Sequence, residues 1–395
     1  MDRRAFLQAA SVAAGALASG RLFAAPAAGG GKLLVVFLRG GYDAASLLVP
    51  VSSSFYYEAR PAIAIPKPGS GGKAALPIDA DWGLHPALEA SVFPLFSKGE
   101  VAFVPFAGID DLSRSHFETQ DAIELGQPVG GHDFRSGFLN RLVAQLQGRA
   151  NGMSFTDQLP IVFRGDTPVP NMGLRNLAKP GIDARQAGLI RGMYAGSPLE
   201  GVVGEGFTVR DDVMRDMAGE MEMASRNAIT TQGFERESRR IAKLMADRYD
   251  VGFVDVGGWD THVGQGAATG YLATRLEELG RGLAAFADES GPRWNDTVVA
   301  VVSEFGRTFR ENGNRGTDHG HGTVAWILGG GVKGGRVAGE QLRLARATLF
   351  QDRDYPVLND FRGLLGGVMA RMYGLDNARL AAVFPGAASR DMALL

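Results

Sequence analysis

The feature that most constrains this chain is a repeated pattern. Short runs of Val, Leu, Ile and Phe break off on glycine and deliver acids and imidazoles into loops. Lys32–Leu38 ends in Arg39-Gly40-Gly41-Tyr42-Asp43, and Val101–Phe106 leads through Ala107-Gly108 to Ser113-Arg114-Ser115-His116. Val251–Val256 ends in Gly257-Gly258-Trp259-Asp260-Thr261-His262. The Val-rich run from Val298 delivers Ser303 and Glu304 into a glycine-rich loop carrying Asp318, His319 and His321. Runs of this length and composition read as buried strands. Because helical patterns separate them, the expected fold is α/β, a layered and mostly parallel sheet flanked by helices. In such sheets ligands bind beyond the carboxyl ends of the strands, so these polar clusters are expected on one edge.

The polar residues then point to chemistry. The chain has six histidines in 395 residues, and two of them fall in Asp318-His319-Gly320-His321. Carboxylates and imidazoles on strand-end loops are what a divalent metal centre requires. Asp260 and His262, two residues apart on extended backbone, can face one ion. Asp43 reads either as part of such a site or as the capping residue of a tight turn. Ser115 is equally a capping-box serine, with Glu118 three residues on, or a nucleophile at a helix N-terminus. Ser113, Arg114 and His116 belong to the same stretch.

Cysteine is absent, which excludes thiolate ligands, thiol nucleophiles and disulfides. The N-terminus carries Arg3-Arg4, a short apolar run and Ala25-Pro26-Ala27, the order of a twin-arginine signal peptide over residues 1–27. Its apolar run is too short to span a membrane. The expectation is an exported, periplasmic chain carried by the twin-arginine machinery, with no integral membrane segment after cleavage. Removing Arg3, Arg4, Arg21 and Asp2 takes 41 basic residues to 38 and 43 acidic ones to 42. A net charge near −4 speaks against nucleic-acid binding.

Between these motifs the chain reads as helical layers. A helix is expected from Leu84 through Phe96, another over Phe134–Gln147, a strand over Leu159–Arg164 and helices over Asp183–Met193 and Arg210–Arg248. About 132–250 reads as a helical insertion or cap within one domain, 28–395, because no linker bounds it. Val213, Met217 and Met221 recur at helical spacing, a packing stripe rather than a metal box. His132 is ambiguous. The strand after the loop, Val324–Leu328, is open to an antiparallel course, and Asn359–Tyr373 is the last expected helix.

The motifs F-L-R-G-G-Y-D, L-H-P-A-L, S-H-F, G-G-W-D-T-H, S-E-F-G-R-T and D-H-G-H-G, in that order over nearly the whole mature chain, resemble the domain-of-unknown-function 1501 family. That family is similar in turn to the alkaline phosphatase and sulfatase superfamily. The resemblance implies an alkaline-phosphatase-like fold with one or two metal ions. Asp260 and His262 would serve one ion, joined by His319 or His321. Asp43 would be a ligand after the first strand, Glu304 would serve the other ion, and Ser113 or Ser115 would stand at the nucleophile's place. Where the superfamily has an Asp-His pair, this chain has Glu304-Phe305. The function expected is hydrolysis of a small phosphate or sulfate ester, with zinc or a harder ion such as Ca²⁺ or Mn²⁺ polarising it. Arg39, Arg114 or Arg307 would clamp the anion. The alternative is an exported metal-binding or assembly protein without turnover.

Overall fold

The computed structural model describes residues 31–131, 133–173, 184–208 and 233–395. The signal-peptide region, His132, and Val213, Met217 and Met221 lie outside them.

The strands are β1 (Lys32–Leu38), β2 (Leu48–Val49), β3 (Leu76–Pro77), β4 (Gly83–Leu84), β5 (Val101–Gly108), β6 (Gly152–Ser154), β7 (Val251–Val256), β8 (Thr297–Ser303), β9 (Thr323–Leu328), β10 (Arg336–Val337) and β11 (Asn359–Asp360). The main sheet runs in the order β10-β5-β9-β8-β1-β7-β6, with β11 also paired to β5. β1 is central and parallel to both neighbours, Leu33 lying opposite Val251 and Val298. β9 is antiparallel to β8 and to β5, so β5 runs in the same direction as β1. β2, β3 and β4 form a small antiparallel sheet of their own.

The apolar run of β1 is continuous because both of its faces are covered. Leu33, Val35 and Phe37 enter one core with helices α2 (Phe138–Leu146), α6 (Phe361–Tyr373) and α7 (Asn377–Val383). Leu34, Val36 and Leu38 enter the other, with α4 (Phe234–Asp247) and α5 (Tyr271–Ser290). Leu272, Leu276, Leu279, Leu283 and Phe286 recur every three or four residues and give α5 one buried stripe. The architecture is an α/β sandwich about a mostly parallel sheet. Helix α1 (His116–Leu125) follows β5, and α3 (Ala184–Tyr194) lies in the middle of the chain. Among the described residues no helix is long and apolar enough to cross a membrane.

Several local expectations are corrected. The Leu84–Phe96 helix is broken into β4, a 3₁₀ turn at Pro86–Leu88 and a short helix at Val92–Ser97. Pro94 has no N–H to give and fits only the first turn of a new helix. Leu159–Arg164 is not a strand but holds a 3₁₀ turn at Ile161–Phe163. Its amides are spent elsewhere, Val162 N–H on the Glu124 carboxylate and Arg164 N–H on Ile161 O. The middle region also contributes a strand, β6, to the sheet edge, and α4 packs into the main core. Finally, α7 follows α6, so Tyr373 does not end the last helix.

Candidate metal centre

The carboxyl ends of β1, β5, β7 and β8 lie on one edge of the sheet, and β9 starts there. The loops beyond them meet because the backbone after β1 is glycine. Gly40 and Gly41 both have positive φ, 124° and 61°. A Cβ on Gly40 would lie 2.7 Å from the Asp260 amide, and one on Gly41 2.4 Å from the Phe305 ring. These two positions admit the Asp260 and Phe305 loops to the first strand.

His116, the first residue of α1, Asp260 after β7 and His319 before β9 come together. One nitrogen or oxygen of each lies within 4.8 Å of the others. His116 Nε2 is 3.6 Å from Asp260 Oδ2, while His262 Nε2 and His319 Nε2 lie 2.9 and 3.3 Å from Asp260 Oδ1. The two imidazole nitrogens of His262 and His319 face each other at 3.1 Å. His319 Nδ1 is 3.0 Å from the carbonyl of Arg114, and His262 Nδ1 3.2 Å from Asp318 Oδ1. Phe305 walls one side, its ring 4.9 Å from that of His116 and 5.0 Å from that of His319. Asp260 keeps 44 % of its side chain exposed, so the cluster can be reached from solvent.

Behind His116 stands Glu304, buried at the end of β8. Its Oε1 accepts from His116 Nδ1 at 2.9 Å, Gln120 Nε2 at 2.9 Å and Gly40 N–H at 2.7 Å. Its Oε2 lies 3.0 Å from the Ser303 hydroxyl, which is also 2.7 Å from the Leu38 carbonyl. Burial opposes the Glu304 charge, but the hydrogen bonds from His116, Gln120 and Gly40 outweigh it and hold the carboxyl below its ordinary pKa. Burial likewise opposes the Asp260 charge. Arg307, which donates to Asp260 Oδ1 at 2.6 Å, more than offsets that and lowers its pKa. The hydrogen bond to Glu304 raises His116, whereas burial lowers His319.

These residues fit a divalent ion. Imidazole nitrogens with a carboxylate oxygen are the donor set of zinc and related ions. His116 Nε2 is buried with no hydrogen-bond partner. A buried polar atom left without a partner is costly unless something else fills its valence.

A family model described as "Protein of unknown function (DUF1501)" matches residues 31–384. The chain belongs to that family. No curated protein matches it. Among solved structures it is similar to Ps i-CgsB, crystallised in complex with k-i-k-neocarrahexaose, at 9 % identity and a TM-score of 0.40, covering 92 % of this chain and 75 % of that one. It is also similar to a protein in the alkaline phosphatase superfamily from Vibrio parahaemolyticus, at 14 % identity and a TM-score of 0.35, covering 77 % and 62 %.

Other residues of this DUF1501 chain singled out by sequence are engaged elsewhere. The Asp43 carboxylate is fully buried against Arg60, with Oδ1 accepting from Nη2 at 2.9 Å and Oδ2 from Nη1 at 2.5 Å. Oδ2 also accepts from Ser46 and Gln265, each at 2.7 Å. His321 turns away from His319, its ring beside Phe350 and its Nε2 3.6 Å from Asp110. Asp318 meets the cluster only through His262 and accepts from Asn312 at 3.0 Å. The Ser113 hydroxyl contacts Thr119, and Ser115 is the N-cap residue of α1 but makes no capping bond. Arg39 pairs with Asp255 and Glu124 and Arg114 with Asp354, whereas Arg307 stays at the cluster, paired with Asp260. Sequence reasoning passed over Gln120, Phe305 as a wall, Arg60 and Gln265. Gln120, four residues after His116 on the same helix face, had a local signal. Arg60 had none, since its partner is set only by the fold.

Proposed function

We propose that this chain is an exported metal-dependent hydrolase of phosphate or sulfate esters. The observation that carries the reading is the buried, unpartnered His116 Nε2 facing Asp260 and His319. His116, Asp260 and His319 would hold the ion, with His262 beside them. A bound divalent ion supplies Lewis-acid polarisation of an ester oxygen and lowers the pKa of a bound water. Arg307 fixes Asp260 by its 2.6 Å bond and by donating to Thr317. Phe305 keeps water from one side of the imidazoles. Ser115, uncommitted as a cap and beside the free N–H groups of α1, is the hydroxyl available for attack. Export would follow the twin-arginine route read from residues 1–27.

A second reading, an exported metal-binding protein without turnover, is favoured by the arginines. Arg39, Arg114 and Arg307 are each already paired with a protein carboxylate, which weakens the case for an anion clamp.

The deciding experiment measures metal content of protein recovered from the periplasm, with hydrolysis of aryl phosphate and aryl sulfate esters, for wild type and His319→Ala. Bound metal and turnover, both lost in the variant, are expected. Bound metal with no turnover of either ester selects the second reading. Absence of metal from wild type rejects both.

A further inference from the structure

We propose that the centre takes a single ion and that Glu304 is not one of its ligands but the positioning residue that aims His116 Nε2 at it. This rests on the metal-centre reading above and deepens it.

The motif resemblance would make Asp43 a ligand and give Glu304 to a second ion. Asp43 is engaged by protein donors at both oxygens, and Glu304 at Oε1. Asp43 is held at both oxygens by the buried Arg60 guanidinium, at 2.9 and 2.5 Å, and also accepts from Ser46 and Gln265. A cation at Asp43 would have to displace Arg60 or lie beside its fixed positive charge. Glu304 accepts three bonds on Oε1, from Gly40, Gln120 and His116. Its Oε2 lies 3.0 Å from the Ser303 hydroxyl, whose one proton is shared with the nearer Leu38 carbonyl at 2.7 Å. The place of a further imidazole ligand is taken by Phe305, whose ring packs on His116 and His319.

What remains for Glu304 is direction. An ionised carboxylate only accepts, so His116 Nδ1 must carry the proton in their 2.9 Å bond. In the neutral ring Nε2 is then left with its lone pair. That nitrogen is buried, has no partner, and lies on the Asp260 side of the ring at 3.6 Å. A carboxylate behind a ligating histidine fixes the ring and strengthens it as a donor. Gln120, one helical turn on from His116 in α1, and Gly40 beside Asp260 brace the same oxygen, so ring and carboxylate are set by three elements.

The test uses the full mature chain, stripped with chelator and titrated with Zn²⁺ and Co²⁺, as wild type and Glu304→Gln. Nitrogen NMR of the stripped protein, at a pH where the ring is neutral, reads the His116 tautomer. One ion per chain is expected in both proteins, bound about 10- to 100-fold more weakly in the variant. An Nδ1–H tautomer is expected in wild type and a mixture in the variant. Two ions in wild type with one lost in Glu304→Gln would make Glu304 a ligand and overturn the proposal. Unchanged affinity in the variant would overturn the positioning role. If the variant does not fold, wild type alone decides, because two ions or an Nε2–H tautomer contradicts the proposal. If wild type binds no ion, the one-ion statement falls with the proposed function, and the tautomer still judges Glu304.

Discussion

Asp43 and Glu304 are both acids placed just beyond the end of a central strand, yet their neighbours give them different work. Arg60 meets Asp43 and also donates to the carbonyls of Thr308 and Phe309 at 3.0 and 2.6 Å. The pair therefore ties the first strand to the loop that carries Arg307 and His319. Asp43→Ala would leave a fully buried guanidinium without its carboxylate. The expected loss is about 3–5 kcal/mol in denaturant unfolding, because breaking a buried pair strands the remaining charge. The loss should be the same with and without added zinc. A loss that zinc enlarges would instead mark Asp43 as a ligand, because only wild type would then gain the ion's stabilisation. Spacing made Asp260, His262 and His319 legible as neighbours, since the first two follow β7 directly and the third sits on the loop just before β9. It could not reveal that Asp43 is saturated, because Arg60 and Gln265 come from elsewhere in the chain.

The turns and loops set the geometry more than the strands do. Gly41, at φ 61°, lies where a side chain would both strain the backbone and strike the Phe305 ring. Gly41→Ala should destabilise the chain by at least about 2 kcal/mol. It should also weaken zinc binding, as the Phe305 ring it displaces packs on His116 and His319. Thermal unfolding and zinc titration check this, and a variant with wild-type affinity would show that the Phe305 wall does not shape the centre. The strands were legible because their apolar runs are continuous and covered on both faces. The helix expected at Leu84–Phe96 was not, because its 3.6-residue pattern is interrupted by the strand pairing of Gly83–Leu84 and by Pro94. Leu159–Arg164 has the composition of a strand but sends an amide to Glu124, a partner that no local rule supplies.

For the molecule as a whole, pH is the most direct probe of the buried polar interior. His85 is fully buried, its Nδ1 accepting from Ala87 N–H and its Nε2 3.0 Å from the Ala267 carbonyl. Burial lowers its pKa from 6.5 to about 4. The unfolded chain takes up a proton below pH 6.5 that the folded chain refuses until about 4, so stability falls as pH drops through that window. This group's share is on the order of 3 kcal/mol, complete near the lower limit and nil above the upper one. Denaturant unfolding across the window should show the slope, and His85→Asn, which can still accept from Ala87, should flatten it. An unchanged slope in that variant would assign the effect to other groups.

The sequence by itself determined the layered α/β class, the mostly parallel sheet and the gathering of polar loops on one edge. Those follow from apolar periodicity and from where glycine stops each strand, which are properties of neighbouring residues. Only the tertiary structure decided which acids stay open and which are closed by a partner. It also turned His319 toward Asp260 and His321 toward Phe350, and put Phe305 against two imidazoles. Those outcomes depend on donors brought from distant strands and helices, and packing assigns such partners without leaving a mark in local spacing.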